Sequence, residues 1–469
     1  MTGTELTGPA VVGRAITDEL IRLLPPGRVL TDPEVTAGLA HDQAIWAPVG
    51  TPVAVVRARS TEEVRHVVRT CSAHGAPLVA RGAGTGLCGG ANAIDGGVVL
   101  SLEAMDSILE IDPLERIAVV QPGVVNDDLR RQVAAHGLWY PPDPASSPWS
   151  TIGGNAATNA GGVCCLKYGV TRDYVIAAEI VTGTGEVVRL GRRTAKGVAG
   201  YDLLGLIVGS EGTLGVITEI TVKLRPLPAG SVTVVGAFGS VTEAGAAVRA
   251  ARTLGLQPAA LELVDRHCLR AVDEWKNMGL TAEGNALLLA RFDDAESVAA
   301  AHAERMVDCF TAAGATFAER SETAEEAELL FTARRLAFPA LERLGPVLTE
   351  DVCVPIGAVP EMLARIDRIA TRHNVVIANI AHVGDGNLHP LLLLDPSDTA
   401  LRARAQQAFE DIMTEAIELG GTITGEHGVG LLKQQGLNRE LAPAVLAMHR
   451  AVKQALDPAG ILNPGKIFE

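Results

Sequence analysis

Two histidines bracket a short turn in His382-Val383-Gly384-Asp385-Gly386-Asn387-Leu388-His389. A Gly-Asp-Gly-Asn turn lets the chain reverse, so both imidazoles can face one ion. A single histidine beside an apolar strand is ordinarily a hydrogen-bonded core residue; it is the symmetrical placement of two that argues for more. Gly425-Glu426-His427-Gly428-Val429-Gly430 adds a carboxylate and a third imidazole between glycines. Two histidines and one carboxylate suit a divalent cation that keeps open positions for substrate or water. His427 either completes that ligand set or stays apart as a base.

The other half of the chain offers backbone chemistry. Gly82-Ala83-Gly84-Thr85-Gly86-Leu87-Cys88-Gly89-Gly90 follows directly on a short apolar strand. Glycines turn peptide N–H groups toward one concavity and let phosphate oxygens approach closely. The pattern Gly84-x-Gly86-x-x-Gly89 is present, but the helix that a dinucleotide-binding unit needs does not follow, because Gly89 to Gly97 cannot sustain one. Thr151 to Gly162 is a second run of small side chains and amides, able to line a flat polar heterocycle. Glu211-Gly212-Thr213-Leu214-Gly215-Val216-Ile217-Thr218 is a third, running into a strand.

In this order and spacing the three segments resemble the FAD-binding domain of the vanillyl-alcohol oxidase type flavoproteins, over Pro52 to Pro228. The resemblance implies that Arg81, Gly82, Ala83, Gly84, Thr85 and Gly86 carry the pyrophosphate. It implies that Thr151, Gly153, Gly154, Asn155, Thr158, Asn159, Gly161 and Gly162 flank the isoalloxazine. Pro142, Tyr168, Gly169, Glu211, Gly212, Gly215, Ile217 and Asn463 complete the implied cofactor set. Some relatives tether FAD through a histidine in the first loop; Thr85 to Gly90 contains none, which implies non-covalent FAD.

The His382–His389 and Gly425–Gly430 segments resemble the C-terminal domain of the flavin-linked D-2-hydroxy-acid dehydrogenases, the D-lactate dehydrogenase and glycolate oxidase type. The resemblance implies His382, His389 and Glu426 as ligands of zinc or manganese, His427 as the base, and Asn387 beside substrate and flavin. Phe331-Thr332-Ala333-Arg334-Arg335 resembles the segment whose arginine holds the substrate carboxylate, with Arg334 at that position and Phe331 where the family usually has tryptophan. A guanidinium fork suits a carboxylate better than an ammonium does. The 2-hydroxyglutarate branch has a lysine where this chain has Thr349 and a threonine where it has Phe338, so the resemblance favours a monocarboxylate with a small or apolar tail. Leu456 to Lys466 matches the family's closing signature, although by itself it reads as a helix end followed by a Pro-Gly turn.

The implied activity is FAD-dependent oxidation of a D-2-hydroxy acid, D-lactate foremost, to the 2-oxo acid. The alternatives within the family are the FAD-binding component of a multi-subunit glycolate oxidase and a 2-hydroxyglutarate dehydrogenase. From other classes come a flavin-free metal hydrolase and a catalytically idle FAD-binding subunit. No CxxC iron–sulfur spacing or haem motif is present, so the electron acceptor is expected to be external: a quinone, a cytochrome or an electron-transfer flavoprotein.

These residues need a scaffold, and composition allows one. The chain has 469 residues, 47% hydrophobic and 20% charged, with 50 glycines and 3% aromatics. That is globular, long enough for two domains, and richer in tight turns than in aromatic binding surface. A net charge of −15 argues against nucleic acid as partner. No leader pattern opens the first 25 residues and no apolar run reaches about 18 residues. The seven cysteines lack framework spacing and read as reduced cytosolic thiols, although the adjacent Cys164-Cys165 could form a strained redox pair. The expected location is cytoplasmic, with peripheral membrane contact and a homodimer both left open.

A β-α-β opening over Pro52–Ala80 precedes the glycine loop, and short strands follow to Pro226. Beyond Leu224-Arg225-Pro226-Leu227-Pro228 the order β-α-β-β-α-β predicts a split, ferredoxin-like sheet. The expectation is an α+β protein: an FAD-binding domain over 1–228 (core 47–228) and a substrate- and metal-binding domain over 229–469. From Ser321 onward the chain reads as helix-rich.

Overall fold

The helix Thr61–His74 begins where Ser60 Oγ accepts the Glu63 amide at 3.3 Å, and Glu63 reaches back to the Arg59 amide at 2.8 Å. It stops at Gly75, whose φ of 62° is left-handed. Its apolar stripe, Val64, Val67, Val68 and Cys71, joins Val56, Leu78, Val98 and Leu100 in one buried core. The computed structural model describes residues 9–395 and 397–468. Residues 1–8, part of the stretch read for a leader, lie outside the described residues.

Two compact units emerge. The first takes the described residues up to Ala160, Val170–Pro226 and the segment from Glu426 onward. The second takes Gly161–Gly169 and Leu227–Gly425. Compactness therefore groups the chain differently from a single cut at 228: the stretch from Glu426 returns to the flavin-side unit.

In the first unit, strands Ala54–Arg57, Val98–Ser101 and Leu78–Arg81 run parallel in a four-stranded sheet edged by Val29–Leu30. A five-stranded antiparallel sheet has the order Ile108–Asp112, Ile117–Val120, Val216–Lys223, Val175–Val181 and Val187–Gly191. The small-residue segment after Thr151 is a short helix, Ile152–Thr158, an element that its glycines and polar side chains do not announce. The closing segment locks onto the strand Leu78–Arg81: Leu78 N–H donates to Ile461 and Asn463 N–H to Leu78, both at 2.8 Å.

The second unit is one eight-stranded antiparallel sheet. Its order begins Phe317–Arg320, Val232–Phe238, Ala286–Phe292, Ala260–Asp265, which is the anticipated split arrangement. The sheet continues through Ile377–His382, Asn387–Leu393 and Val347–Thr349, with Val352–Cys353 also on the Asn387–Leu393 strand. Two features differ from expectation. A helix, Arg266–Lys276, capped by the Asp265 carboxylate, stands between the second and third strands. The region beyond Ser321 supplies strands as well as helices, because Ile377–His382 is buried at every position and so shows no alternation to read.

All seven cysteines are unbridged, Cys164 and Cys165 included. Among the described residues no helix is long and apolar enough to cross a membrane.

Candidate active site

The His382 and His389 strands form a hairpin closed by residues 383–386. Its register pairs His382 with Asn387 and Ile380 with His389. Residues two apart on a strand share a face, so both imidazoles and Asn387 fall on one side. The rings meet edge to face with centroids 5.1 Å apart, and both side chains are buried. The turn requires glycine at 386: its φ is 88°, and a Cβ there would overlap the Val354 carbonyl.

Glu262, on the neighbouring strand Ala260–Asp265, completes this geometry. It is fully buried, and its Oε1 lies 2.7 Å from His382 Nδ1. Its Oε2 accepts from Arg334 Nε at 2.8 Å. Burial pushes the Glu262 carboxyl upward, but His382 and Arg334 outweigh it and hold the group below its ordinary value. A carboxylate at Nδ1 calls for the proton there, which makes Nε2 the lone-pair nitrogen. Arg334 is seated on the helix Ala324–Glu342 with its side chain 11% exposed. Phe331, one turn earlier, stacks under the Arg291 guanidinium at 4.0 Å, so it is Glu262 that holds Arg334 in place.

Asp351 is equally buried. Its Oδ2 accepts from Thr424 Oγ1 at 2.7 Å and from the Gly425 amide at 2.9 Å, and its Oδ1 stands 3.7 Å from His389 Nδ1. It thereby ties the segment that runs into Glu426 to the histidine hairpin. Asn387 Oδ1 is buried with no hydrogen-bond partner among the described residues, and Gly425 lies so near that a Cβ would overlap the Asn387 amide. Sequence reasoning missed Glu262 and gave Asp351 no role in the site. The buried acid in Ala260-Leu261-Glu262-Leu263-Val264 was the available signal.

Tyr168 and Gly169, together with Gly161 and Gly162, also belong to the second unit. Tyr168 donates its hydroxyl to Asp293 at 2.6 Å, beside the Lys167–Asp293 pair at 2.5 Å. Burial and that carboxylate push the phenol well above its ordinary value.

The other residues assigned from the sequence lie in the first unit. The loop after Leu78–Arg81 packs onto the Thr151 cap so closely that a Cβ on Gly82 would overlap Thr151 Oγ1. At Gly84, φ is 72° and the space a Cβ would fill is taken by the Arg81 guanidinium. Arg81 is 7% exposed; its Nη1 donates to the His41 carbonyl at 2.7 Å and its Nε has no partner among the described residues. A buried cation under a glycine loop, with a donor unspent, fits a bound anion such as a pyrophosphate. Thr151 Oγ1 accepts the Gly154 amide at 3.3 Å, while Asn155 is engaged by Asn126 at 2.9 Å and Ser150 at 3.2 Å. Asn126 also donates to the Pro142 carbonyl at 3.2 Å.

Glu211 has the left-handed φ of 51°. Its carboxylate accepts the Val429 and Gly430 amides at 2.8 and 2.9 Å, which fixes the turn just after His427. Burial nevertheless pushes this carboxyl above its ordinary value. Within that turn His427 Nε2 lies 3.8 Å from Glu426 Oε1. Asn463 donates to the Gly90 and Glu211 carbonyls, both at 2.8 Å, and Lys466 Nζ donates to Asn92 at 2.7 Å and Gly90 at 3.3 Å. Asn463 therefore braces the loops as well as standing in the implied cofactor set.

Known proteins bear on this arrangement. Residues 52–191 match the model of the FAD binding domain family, and residues 227–467 match that of the C-terminal domain of FAD linked oxidases. The chain is 43% identical over 418 residues to glycolate oxidase subunit GlcD of Bacillus subtilis, covering 89% of each. It is 36% identical over 465 residues to a D-lactate dehydrogenase of Anaerostipes hadrus, covering 96% of this chain and 98% of that one. The solved 4-ethylphenol oxidase from Gulosibacter chungangensis superposes with a TM-score of 0.84 at 21% identity, over 100% of this chain and 99% of that one, which speaks to the fold alone. An FAD-binding domain leaves no room for the flavin-free hydrolase reading. The chain belongs to the FAD-linked oxidoreductases of the D-lactate dehydrogenase and GlcD type, built on the vanillyl-alcohol oxidase type of FAD-binding fold.

Proposed function

We propose that this chain oxidises a D-2-hydroxy acid, D-lactate foremost, to the 2-oxo acid and hands the electrons to an external acceptor. The observation that supports it best is the Arg334–Glu262–His382 chain of hydrogen bonds, which joins a guanidinium suited to a carboxylate and an imidazole suited to a cation. FAD, held without a covalent tether, supplies a two-electron acceptor for hydride when bound. His382, His389 and Glu426 would hold a divalent ion, which when bound would lower the pKa of a substrate hydroxyl.

In this reading Arg334 grips the substrate carboxylate through its outer nitrogens, since Nε is engaged by Glu262. Asn387 offers its side-chain amide to the same substrate. His427 takes the hydroxyl proton, with its turn steadied by Glu211. The Arg81–Gly86 loop and Thr151–Asn159 carry the cofactor in an FAD-binding domain, with the substrate and metal residues chiefly in the C-terminal domain.

A second reading is the glycolate-oxidising flavin component of a larger enzyme, favoured by the resemblance to the Bacillus subtilis relative. Anaerobic mixing with D-lactate, glycolate and D-2-hydroxyglutarate separates the readings. D-lactate should bleach the flavin fastest. Faster bleaching by glycolate would favour the second reading, and no bleaching by any of the three would overturn both. Acid precipitation should leave all yellow colour in the supernatant; colour in the pellet would overturn the non-covalent assignment.

A further inference from the structure

We infer that Glu262 is a positioning residue whose two oxygens fix His382 for the cation and Arg334 for the substrate carboxylate together. The inference rests on the cation site proposed above. Glu262 is fully buried, 2.7 Å from His382 Nδ1 through one oxygen and 2.8 Å from Arg334 Nε through the other. A carboxylate sealed from water is tolerated when charge and hydrogen bonds compensate it. Here both compensating groups are the two that face the chemistry.

Glu262 lies on a strand buried at all of its positions, Ala260–Asp265, where an apolar side chain would pack at least as well. The acid therefore does something packing does not require. By accepting at Nδ1 it fixes the tautomer and the plane of the His382 ring, directing the Nε2 lone pair outward. By accepting at Nε it fixes the plane of the Arg334 fork while leaving both outer nitrogens for a bidentate contact. One side chain thus sets the angle between the group for the metal and the group for the carboxylate, which a chelated 2-hydroxy acid must match.

The test is Mn²⁺ binding to the flavin-loaded protein, followed by loss of the free-ion paramagnetic resonance signal and so independent of turnover. Glu262→Gln should keep its flavin spectrum and circular dichroism yet bind Mn²⁺ ~10–100-fold more weakly. Its KM for D-lactate should rise as well. Arg334→Lys, which keeps a charge beside Glu262 but not the fork, should raise KM and keep wild-type Mn²⁺ affinity. His382→Ala should abolish binding.

Wild-type Mn²⁺ affinity in Glu262→Gln, with binding lost in His382→Ala, would overturn the role of Glu262 and leave the cation reading standing. Wild-type affinity in His382→Ala would overturn the cation reading itself. Equal Mn²⁺ loss in Arg334→Lys and Glu262→Gln would reduce Glu262 to general support and also overturn the inference. Should Glu262→Gln not fold, Glu262→Asp, which draws the same charge back by one methylene, is measured in its place with the same outcomes.

Discussion

The carboxylate of Asp351 accepts the backbone amide of Gly425 at 2.9 Å, one residue before Glu426. The same carboxylate lies beside His389. A buried acid that contacts no solvent thus governs how the chain enters Glu426.

Asp351→Ala should release the Thr424–Gly425 segment and cost the protein most of its divalent metal while the flavin stays. The expected loss of affinity is ~10–100-fold, as for other groups that orient ligands. Metal analysis and the visible spectrum of the same purified sample check it. Full metal content would show that the Gly425 contact does not position Glu426.

The neighbours Glu426 and His427 should separate by phenotype. His427→Ala should retain metal and substrate binding but reduce its flavin ~10²–10⁴-fold more slowly, the usual worth of a general base. Glu426→Ala should lose metal first. Stopped-flow bleaching with D-lactate and metal analysis decide between them, and metal loss in His427→Ala would make His427 a ligand.

Gly84→Ala should weaken flavin binding. The left-handed φ of 72° disfavours any L side chain by ~1–2 kcal/mol, and the Cβ would also displace the Arg81 guanidinium. Flavin affinity should fall by at least about ten-fold, read as the ratio of flavin to protein absorbance after gel filtration. Gly38→Ala, where a Cβ meets open space, is the matched control and should keep its colour.

Lys466 gives a pH signature. Burial pulls its ammonium down to about 8, against the opposing pull of Asp42 and Glu211, from an ordinary 10.5. Between those values the unfolded chain holds a proton that the folded one has shed, so this residue's contribution to stability rises with pH across that window. The Tm difference, wild type minus Lys466→Met, should climb between pH 8 and 10.5. A flat difference would mean Lys466 is not desolvated as described.

What can be read from the sequence tracks how local the physics is. The His382–His389 hairpin is legible because its turn and both histidines sit within one short run. The first glycine loop and the split sheet are legible for the same reason, through turn chemistry and element order. Glu262 is not, since its partner His382 lies 120 positions away and its own strand reads as plain apolar core. Lys466 reads only as part of a Pro-Gly turn, because nothing near it in sequence announces the Gly90 and Asn92 carbonyls it meets. The Arg266–Lys276 helix escapes notice although its signals are local: Asp265 caps it, and the buried Cys268, Leu269, Ala271 and Val272 recur at helical spacing among charged residues.

The bond from Asn463 to the Gly90 carbonyl joins residues 373 positions apart. At ~5–20 residues per second, a ribosome makes the second partner roughly 20–75 s after the first. Through that interval the strand Leu78–Arg81 has emerged without the Ile461–Asn463 segment that closes its edge. The nascent flavin half must therefore wait, with an open strand edge exposed to other chains, until Ile461–Asn463 has been made. A chain broken off before Asn463 would leave its glycine loop unbraced.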